Sequence, residues 1–311
     1  MAIIEGDPFE IKAQKDGGCI MLGYLDGVHL GHQALIEVVK TRAKELHTYS
    51  AAFTFNGKLF TKSIPIRGML TTGQEKAKLL EYFGIDLVYL VEFTETLRDL
   101  SPEEFVVEVL HKRLKTASVA IGPNFNFGKG GKGGPKELLE IAKYHGIECI
   151  VIPQVKIDNE PISSSRIRNM LFSANIEEAS KLLGRRYRLT GKVVKGKGFG
   201  TGLGYPTANL EIGNPLKLIP GEGVYTCFAN LGGRFYMSAV PIGTRPTFMG
   251  TDRSIEAHIL DFSGNLYGQE ITLEFVTCLR LQKKFQNPAD LAVQIGQDIE
   301  RAREILGGLH E

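Results

Sequence analysis

Short apolar runs recur through the first half of the chain: Cys19–Gly23, Ala51–Phe55, Leu87–Val91, Ser118–Gly122 and Cys149–Pro153. Near-continuous apolarity, rather than alternation, marks a strand covered on both faces of a parallel sheet. Amphipathic stretches near residues 32–46, 73–83, 102–114 and 135–145 separate the runs and predict helices. Thr72-Gly-Gln-Glu75 has capping-box spacing, and Ser101-Pro-Glu-Glu104 adds a proline at the first helical position. Strand alternating with helix predicts a doubly wound parallel sheet, whose ligands sit at the carboxyl ends of its strands.

The pattern changes near residue 184. Tyr187–Val194, Gly223–Leu231, Phe235–Ile242, Ser254–Phe262 and Glu270–Val276 are rich in Val, Ile, Tyr, Phe and Thr and are broken by glycines. No helical period fits between them, so an antiparallel β-barrel is expected. Asn287-Pro288 then opens a terminal helix whose apolar face is Leu291, Ile295, Ile299, Ala302 and Leu306, stopped by Gly307-Gly308. The reading is therefore α/β plus all-β, with one domain at 1–184 and a second at 185–311. Asn175–Arg186 is expected to join them.

Two domains suit 311 residues, and 43% hydrophobic with 23% charged residues is ordinary globular usage. Lys plus Arg number 37 against 35 acids, a net charge of +2, so no global field points to nucleic acid or a membrane surface. Cys19, Cys149, Cys227 and Cys278 lie far apart and form no CxxC pair, which reads as reduced thiols in a cytoplasmic protein. The opening residues MAIIEGDPFEIKAQKDGG lack the apolar run of a signal peptide, and no stretch approaches the roughly 20 apolar residues of a spanning helix. GK[ST] and HRD elements are also missing, which removes the commonest kinase classes.

Gly23-Tyr-Leu-Asp-Gly-Val-His-Leu-Gly-His32 follows the first strand and opens the first helix. Glycines let backbone approach a ligand, and the free amides of a helix start attract anions. His29 and His32, three apart, can face one spot and donate to the oxygens of a triphosphate during phosphoryl transfer. The plain alternative makes one histidine a helix cap and the other a surface residue. A zinc site is a third option, for which no nearby Cys or third His completes a set. Ile162-Ser-Ser-Ser-Arg-Ile-Arg168 sets three hydroxyls and two guanidiniums at a second helix start, again suited to polyphosphate or to simple capping.

The ten-residue string resembles the HxGH signature of the nucleotidyltransferase superfamily, in the extended form of bacterial FAD synthetases. The second string resembles that family's ISSTxIR signature, with Ser165 where Thr is usual. Gly122-Pro-Asn-Phe-Asn-Phe-Gly128 resembles a family loop that contacts nucleotide. The resemblance implies that His29 and His32 stabilise the transition state at the α-phosphate of ATP. It also implies that Gly23, Asp26, Gly31, Asn124, Ser163, Ser164, Ser165 and Arg168 bind nucleotide. One departure stands out: Thr54-Phe-Asn-Gly-Lys58 occupies the place where the family has a Pro-His-Pro element over the substrate region.

Gly196-Lys-Gly-Phe-Gly-Thr-Gly-Leu-Gly204 fails GxGxxG in every register and precedes β structure, so a dinucleotide site is rejected. Lys129–Gly134 reads as a flexible surface loop. Thr207 and Asn209 fall on one side of an extended segment and offer hard oxygen ligands suited to Mg²⁺; a proline turn with side-chain capping is the plain alternative. The segment Tyr205-Pro-Thr-Ala-Asn209 resembles the riboflavin kinase signature, supported by Gly223–Tyr225, Ile242–Phe248, Ile255–Phe262, Leu266–Gly268 and Arg280–Phe285 in family order. The resemblance implies that Gly198 and Thr207 bind nucleotide, that Thr207 and Asn209 hold Mg²⁺ with ATP, and that Glu256 is the base on the ribityl 5′-hydroxyl. Glu256 as an outward strand residue beside Ile255 is the plain alternative.

Together these segments resemble the bacterial bifunctional riboflavin kinase/FAD synthetase (FMN adenylyltransferase) family over almost the whole chain. The implied activities are riboflavin plus ATP to FMN, then FMN plus ATP to FAD and pyrophosphate. Riboflavin, FMN, FAD and ATP are thus the expected partners, with Mg²⁺ as cofactor and neither nucleic acid nor membrane. Two narrower readings stay open: kinase activity alone, or a flavin-binding regulator with a degenerate adenylyltransferase site.

Overall fold

A computed structural model describes residues 2–57, 68–196, 204–247 and 250–309. It divides into two compact units, Met1–Ser164 and Ser165–Glu311.

The first unit is built on a six-stranded parallel sheet ordered β1-β4-β3-β2-β5-β6. Its strands are β1 (Ala2–Gly6), β2 (Cys19–Leu22), β3 (Ser50–Phe55), β4 (Leu87–Val91), β5 (Ser118–Ile121) and β6 (Glu148–Val151). The central strands are buried on both faces. Ile20 and Leu22 join one apolar cluster with Phe53, Tyr89 and Val109. Cys19 and Met21 join the other, with Leu35, Val39 and Leu80. Helices α1 (Leu30–Glu45) and α2 (Gly73–Tyr82) cover that second face. α4 (Pro102–Glu104), running on as a π-helix over Phe105–Arg113, and α5 (Pro135–Tyr144) cover the first. Both anticipated capping boxes form, at Thr72/Glu75 and Ser101/Glu104.

Three details differ from expectation. β1 was not anticipated; it pairs with β4 at the sheet edge, where half-exposed alternation suffices. The short α3 (Glu95–Asp99) was also missed. Residues 129–134 are folded, not loose. Phe127 and Gly133 exchange backbone hydrogen bonds of 2.9 Å, and the Lys129 amide donates to the Leu100 carbonyl. The chain turns left from β2 to β3 and β4, and right to β5 and β6. The crevice of such a sheet therefore opens beyond Leu22 and Ile121.

A short hairpin, β7 (Lys156–Ile157) with β8 (Glu160–Pro161), precedes the second unit. That unit begins with α6 (Ser164–Phe172) and α7 (Ile176–Leu183), and α7 packs on strands of a closed antiparallel barrel. The barrel runs β10-β13-β12-β11-β14-β9. Its strands are β9 (Tyr187–Val194), β10 (Ala208–Glu211), β11 (Gly223–Leu231), β12 (Arg234–Thr247), β13 (Gly250–Ile259) and β14 (Glu270–Leu281). β10, four residues behind a proline, was not anticipated. α8 (Pro288–Gly307) starts at an Asn287 side-chain cap and buries Ile299, Ala302 and Leu306, as its periodicity predicts.

Candidate functional sites

The Gly23–His32 turn has an unusual backbone. Leu25, Gly27 and Val28 are all left-handed, at φ 52°, 82° and 41°. That is costly for β-branched Val28. Burial and hydrogen bonds hold it. The Asp26 carboxylate, 2% exposed, accepts from the Leu70 and Thr71 amides at 3.1 and 3.0 Å, and the Gly27 amide donates to Thr71 Oγ1 at 3.0 Å. Asp26, expected to bind nucleotide, thus has its carboxylate engaged in shaping the turn.

His29 takes the N-cap position of α1, and its ring stacks on His32 with centroids 3.6 Å apart. The turn folds His29 under the helix start, where it is only 6% exposed. A Cβ on Gly31 would come within 3.1 Å of His29 Cε1, so the missing side chain leaves room for the imidazole. Around the pair is a cavity of about 270 Å³ lined by Gly23, Gly31, Asn124, Ser163 and Ser164 among others, all sequence-predicted. Ser164 Oγ donates to the Asp26 carbonyl at 2.9 Å, joining the two motifs. Ser165 and Arg168 lie past the unit boundary in the first turns of α6, where Arg168 Nη1 donates to Ser165 Oγ at 3.4 Å. Among the described residues, no group of three or more His, Cys, Asp and Glu gathers to complete a zinc set.

A second cavity, about 700 Å³, abuts the first, and Leu22, Gly23 and Phe125 line both. Six phenylalanines, 53, 55, 93, 105, 125 and 127, form its walls. They pack in chains, Phe55 edge-on to Phe93 with centroids 5.3 Å apart and Phe125 stacked on Phe127 at 5.7 Å. Sequence reasoning missed this cavity, although Phe125 and Phe127 lay in a motif it singled out. Lys129–Gly131 and the Arg98–Asp99 pair supply its polar rim, and Arg98 holds the Asp99 carboxyl below its usual range. Lys76 of α2 was missed too. It is buried, and its ammonium donates to the Tyr24 carbonyl, Thr54 Oγ1 and the Phe55 carbonyl. Its place one turn before buried Leu80 was the available signal. Of the departing Thr54–Lys58 segment, Asn56 donates its amide to the Val91 carbonyl at 2.8 Å, and Lys58 lies outside the described residues.

In the barrel, Asn209 stands opposite Glu256 in the β10–β13 register, and Thr207 Oγ1 donates to Glu256 Oε2 at 3.1 Å. The Asn209 amide lies against Gly196, where a Cβ would collide with it. Gly198 lies outside the described residues. Two cavities meet at Thr207. One, about 490 Å³, runs along Phe262–Tyr267; the other, about 420 Å³, contains Glu256, His258, Arg280 and Asp298. His258 Nδ1 is 2.8 Å from the Pro206 carbonyl, which can only accept, so Nδ1 carries the proton. Asp298, 7% exposed, takes a forked ion pair from Arg280 and a hydrogen bond from Gln294. It lay hidden in what reads as a solvated helix face.

The family model described as FAD synthetase matches residues 11–166, and the one described as riboflavin kinase matches residues 183–306. The chain is 31% identical over 307 residues to the bifunctional riboflavin kinase/FMN adenylyltransferase of Bacillus subtilis (strain 168), covering 97% of this chain and 96% of that one. It is 32% identical over 292 residues to the protein of the same description from Haemophilus influenzae, covering 92% and 94%. For that of Escherichia coli (strain K12) the identity is 30% over 312 residues, covering 99% and 98%. A solved structure described as a macrolide-efflux protein from Streptococcus pneumoniae matches with a TM-score of 0.89 at 28% identity, covering 97% of this chain and 99% of that one. Among the described residues, no helix is long and apolar enough to cross a membrane.

Proposed function

The chain belongs to the bifunctional riboflavin kinase/FMN adenylyltransferase family, and from that premise we propose which side chains carry each step. The enzyme phosphorylates riboflavin with ATP to give FMN, and adenylylates FMN with ATP to give FAD and pyrophosphate. We assign adenylyl transfer to residues 1–184 and phosphorylation to 185–311.

One observation carries the assignment. In each unit two cavities abut, along Leu22, Gly23 and Phe125 in the first and at Thr207 in the barrel, as a reaction joining two substrates requires. In the first unit, ATP takes the smaller cavity, its phosphates against the amides that open α1 and the hydroxyls of Ser163 and Ser164. The flavin ring of FMN takes the phenylalanine-walled cavity, stacking on aromatic faces. The shared wall at Gly23 then lets an FMN phosphate oxygen approach the α-phosphorus from the side opposite the departing pyrophosphate. His29 and His32 donate to the oxygens on which charge builds.

In the barrel, riboflavin takes the cavity containing Glu256, and the nucleotide takes the one along Phe262–Tyr267. Glu256 accepts the proton of the ribityl 5′-hydroxyl as that oxygen attacks the γ-phosphorus and ADP leaves. The Thr207–Glu256 hydrogen bond holds the carboxylate at the junction. The donors there are hard oxygens, a hydroxyl and an amide carbonyl beside a carboxylate, and they fit Mg²⁺. Thr207 and Asn209 would hold the ion, which when bound offsets charge on the phosphates. We place the enzyme in the cytoplasm, in keeping with four free thiols.

Glu256→Gln keeps the size and removes the base, so FMN formation from riboflavin should fall about 10²–10⁴-fold. Chromatography of FMN and FAD from riboflavin, ATP and Mg²⁺ reads this directly. Near-wild-type FMN formation would make Glu256 an ordinary strand residue.

A further inference from the structure

Helix α2 turns a lysine inward, beneath the phosphate turn. Lys76 is 2% exposed. Its ammonium has three N–H donors and meets three acceptors: the Tyr24 carbonyl at 2.6 Å, Thr54 Oγ1 at 3.0 Å and the Phe55 carbonyl at 2.9 Å. The ammonium also sits 4.5 Å from the centroid of the Tyr24 ring. Burying an ammonium is expensive, and an apolar side chain on this helix face would avoid that cost.

The acceptors explain what the charge achieves. Tyr24 lines the small cavity at the turn, and Phe55 lines the phenylalanine-walled one. Thr54 stands between them and donates its own hydroxyl proton to the Tyr24 carbonyl at 2.9 Å. The Tyr24 hydroxyl in turn donates to the Gly57 carbonyl at 2.8 Å. One ammonium therefore clamps the phosphate turn to the end of β3.

We propose that Lys76 is a positioning residue for adenylyl transfer, holding the two cavity walls at the spacing that brings the flavin phosphate to the α-phosphorus. It touches neither substrate and takes no proton. The inference rests on the assignment of these cavities to ATP and FMN.

The test uses full-length Lys76→Met and Lys76→Arg proteins, with FMN, ATP and Mg²⁺ supplied and riboflavin phosphorylation measured as the internal control. A misplacement near 1 Å costs about 10²-fold. Lys76→Met should lose about that much kcat for FAD formation. Its KM for ATP and its affinity for FMN, read by flavin fluorescence, should change less than about threefold, and kinase turnover should not change. Lys76→Arg, which keeps a cation, should retain at least about tenfold more turnover than Lys76→Met. A kcat within about threefold of wild type in Lys76→Met overturns the proposal. So does loss of FMN binding together with turnover in both variants, which would give Lys76 a folding role only. His32→Ala run alongside separates the two levels. If it retains full FAD synthesis, the cavity assignment has failed; if it is inactive while Lys76→Met is active, only the role of Lys76 has failed.

Discussion

The imidazoles of His29 and His32 stack with centroids 3.6 Å apart and planes 16° from parallel. His29 is buried at the helix cap, and His32 is half-buried one turn on. The pair is thus asymmetric. His32→Ala should cost about 10²–10³-fold in FAD synthesis, the loss typical of one donor to developing charge, with little change in melting temperature. His29→Ala should lose comparable activity and also unfold earlier, because it leaves a void beneath the turn. Calorimetry and FAD assays on both variants check this; equal stability would contradict the burial argument.

Gly31 offers a cleaner separation of activity from stability. An added methyl would meet His29 Cε1 at 3.1 Å and displace the ring by a few tenths of an ångström. Alanine in a helix gains about 0.4–1 kcal/mol over glycine. Gly31→Ala should therefore be at least as stable as wild type yet slower in FAD synthesis by about tenfold or more. Unaltered turnover would show that the ring's position is unimportant.

Burial lowers the Lys76 amine from 10.5 to about 8, partly opposed by the Asp26 carboxylate. Between those values the unfolded chain binds the extra proton, so stability should rise with pH, by about 1.4 kcal/mol per unit at its steepest. Below the lower value both states are protonated and the dependence disappears. Urea unfolding of wild type and Lys76→Met near pH 7.5 and 9.5 should show wild type gaining on the variant as pH rises. A constant difference would contradict the burial of a protonated amine.

Much of the fold was legible because its signals are local. β2, β3, β4 and β5 are buried on both faces and read as unbroken apolar runs, and the Thr72 and Ser101 caps are spelled out within four residues. β1 and β10 escaped because an edge strand and a four-residue strand carry too little apolar signal. Motif spacing and family resemblance singled out the histidine pair, Ser163 and Ser164, which line one cavity, and Thr207 and Asn209, which lie beside Glu256. The phenylalanine-walled cavity was not, since its residues span 53–127 and only the sheet crossovers gather them. Lys76 and Asp298 were hidden for a different reason: a linear reading sends charges to solvent, and only tertiary packing shows their partners.

The central claim is that two separate sites in one chain act in sequence through FMN. Mixing His32→Ala and Glu256→Gln proteins with riboflavin, ATP and Mg²⁺ tests it most directly. Alone, His32→Ala should accumulate FMN and Glu256→Gln should make almost nothing, whereas the mixture should make FAD as free FMN passes from one protein to the other. FAD from either variant alone at the wild-type rate, or a mixture that makes none, would contradict the account.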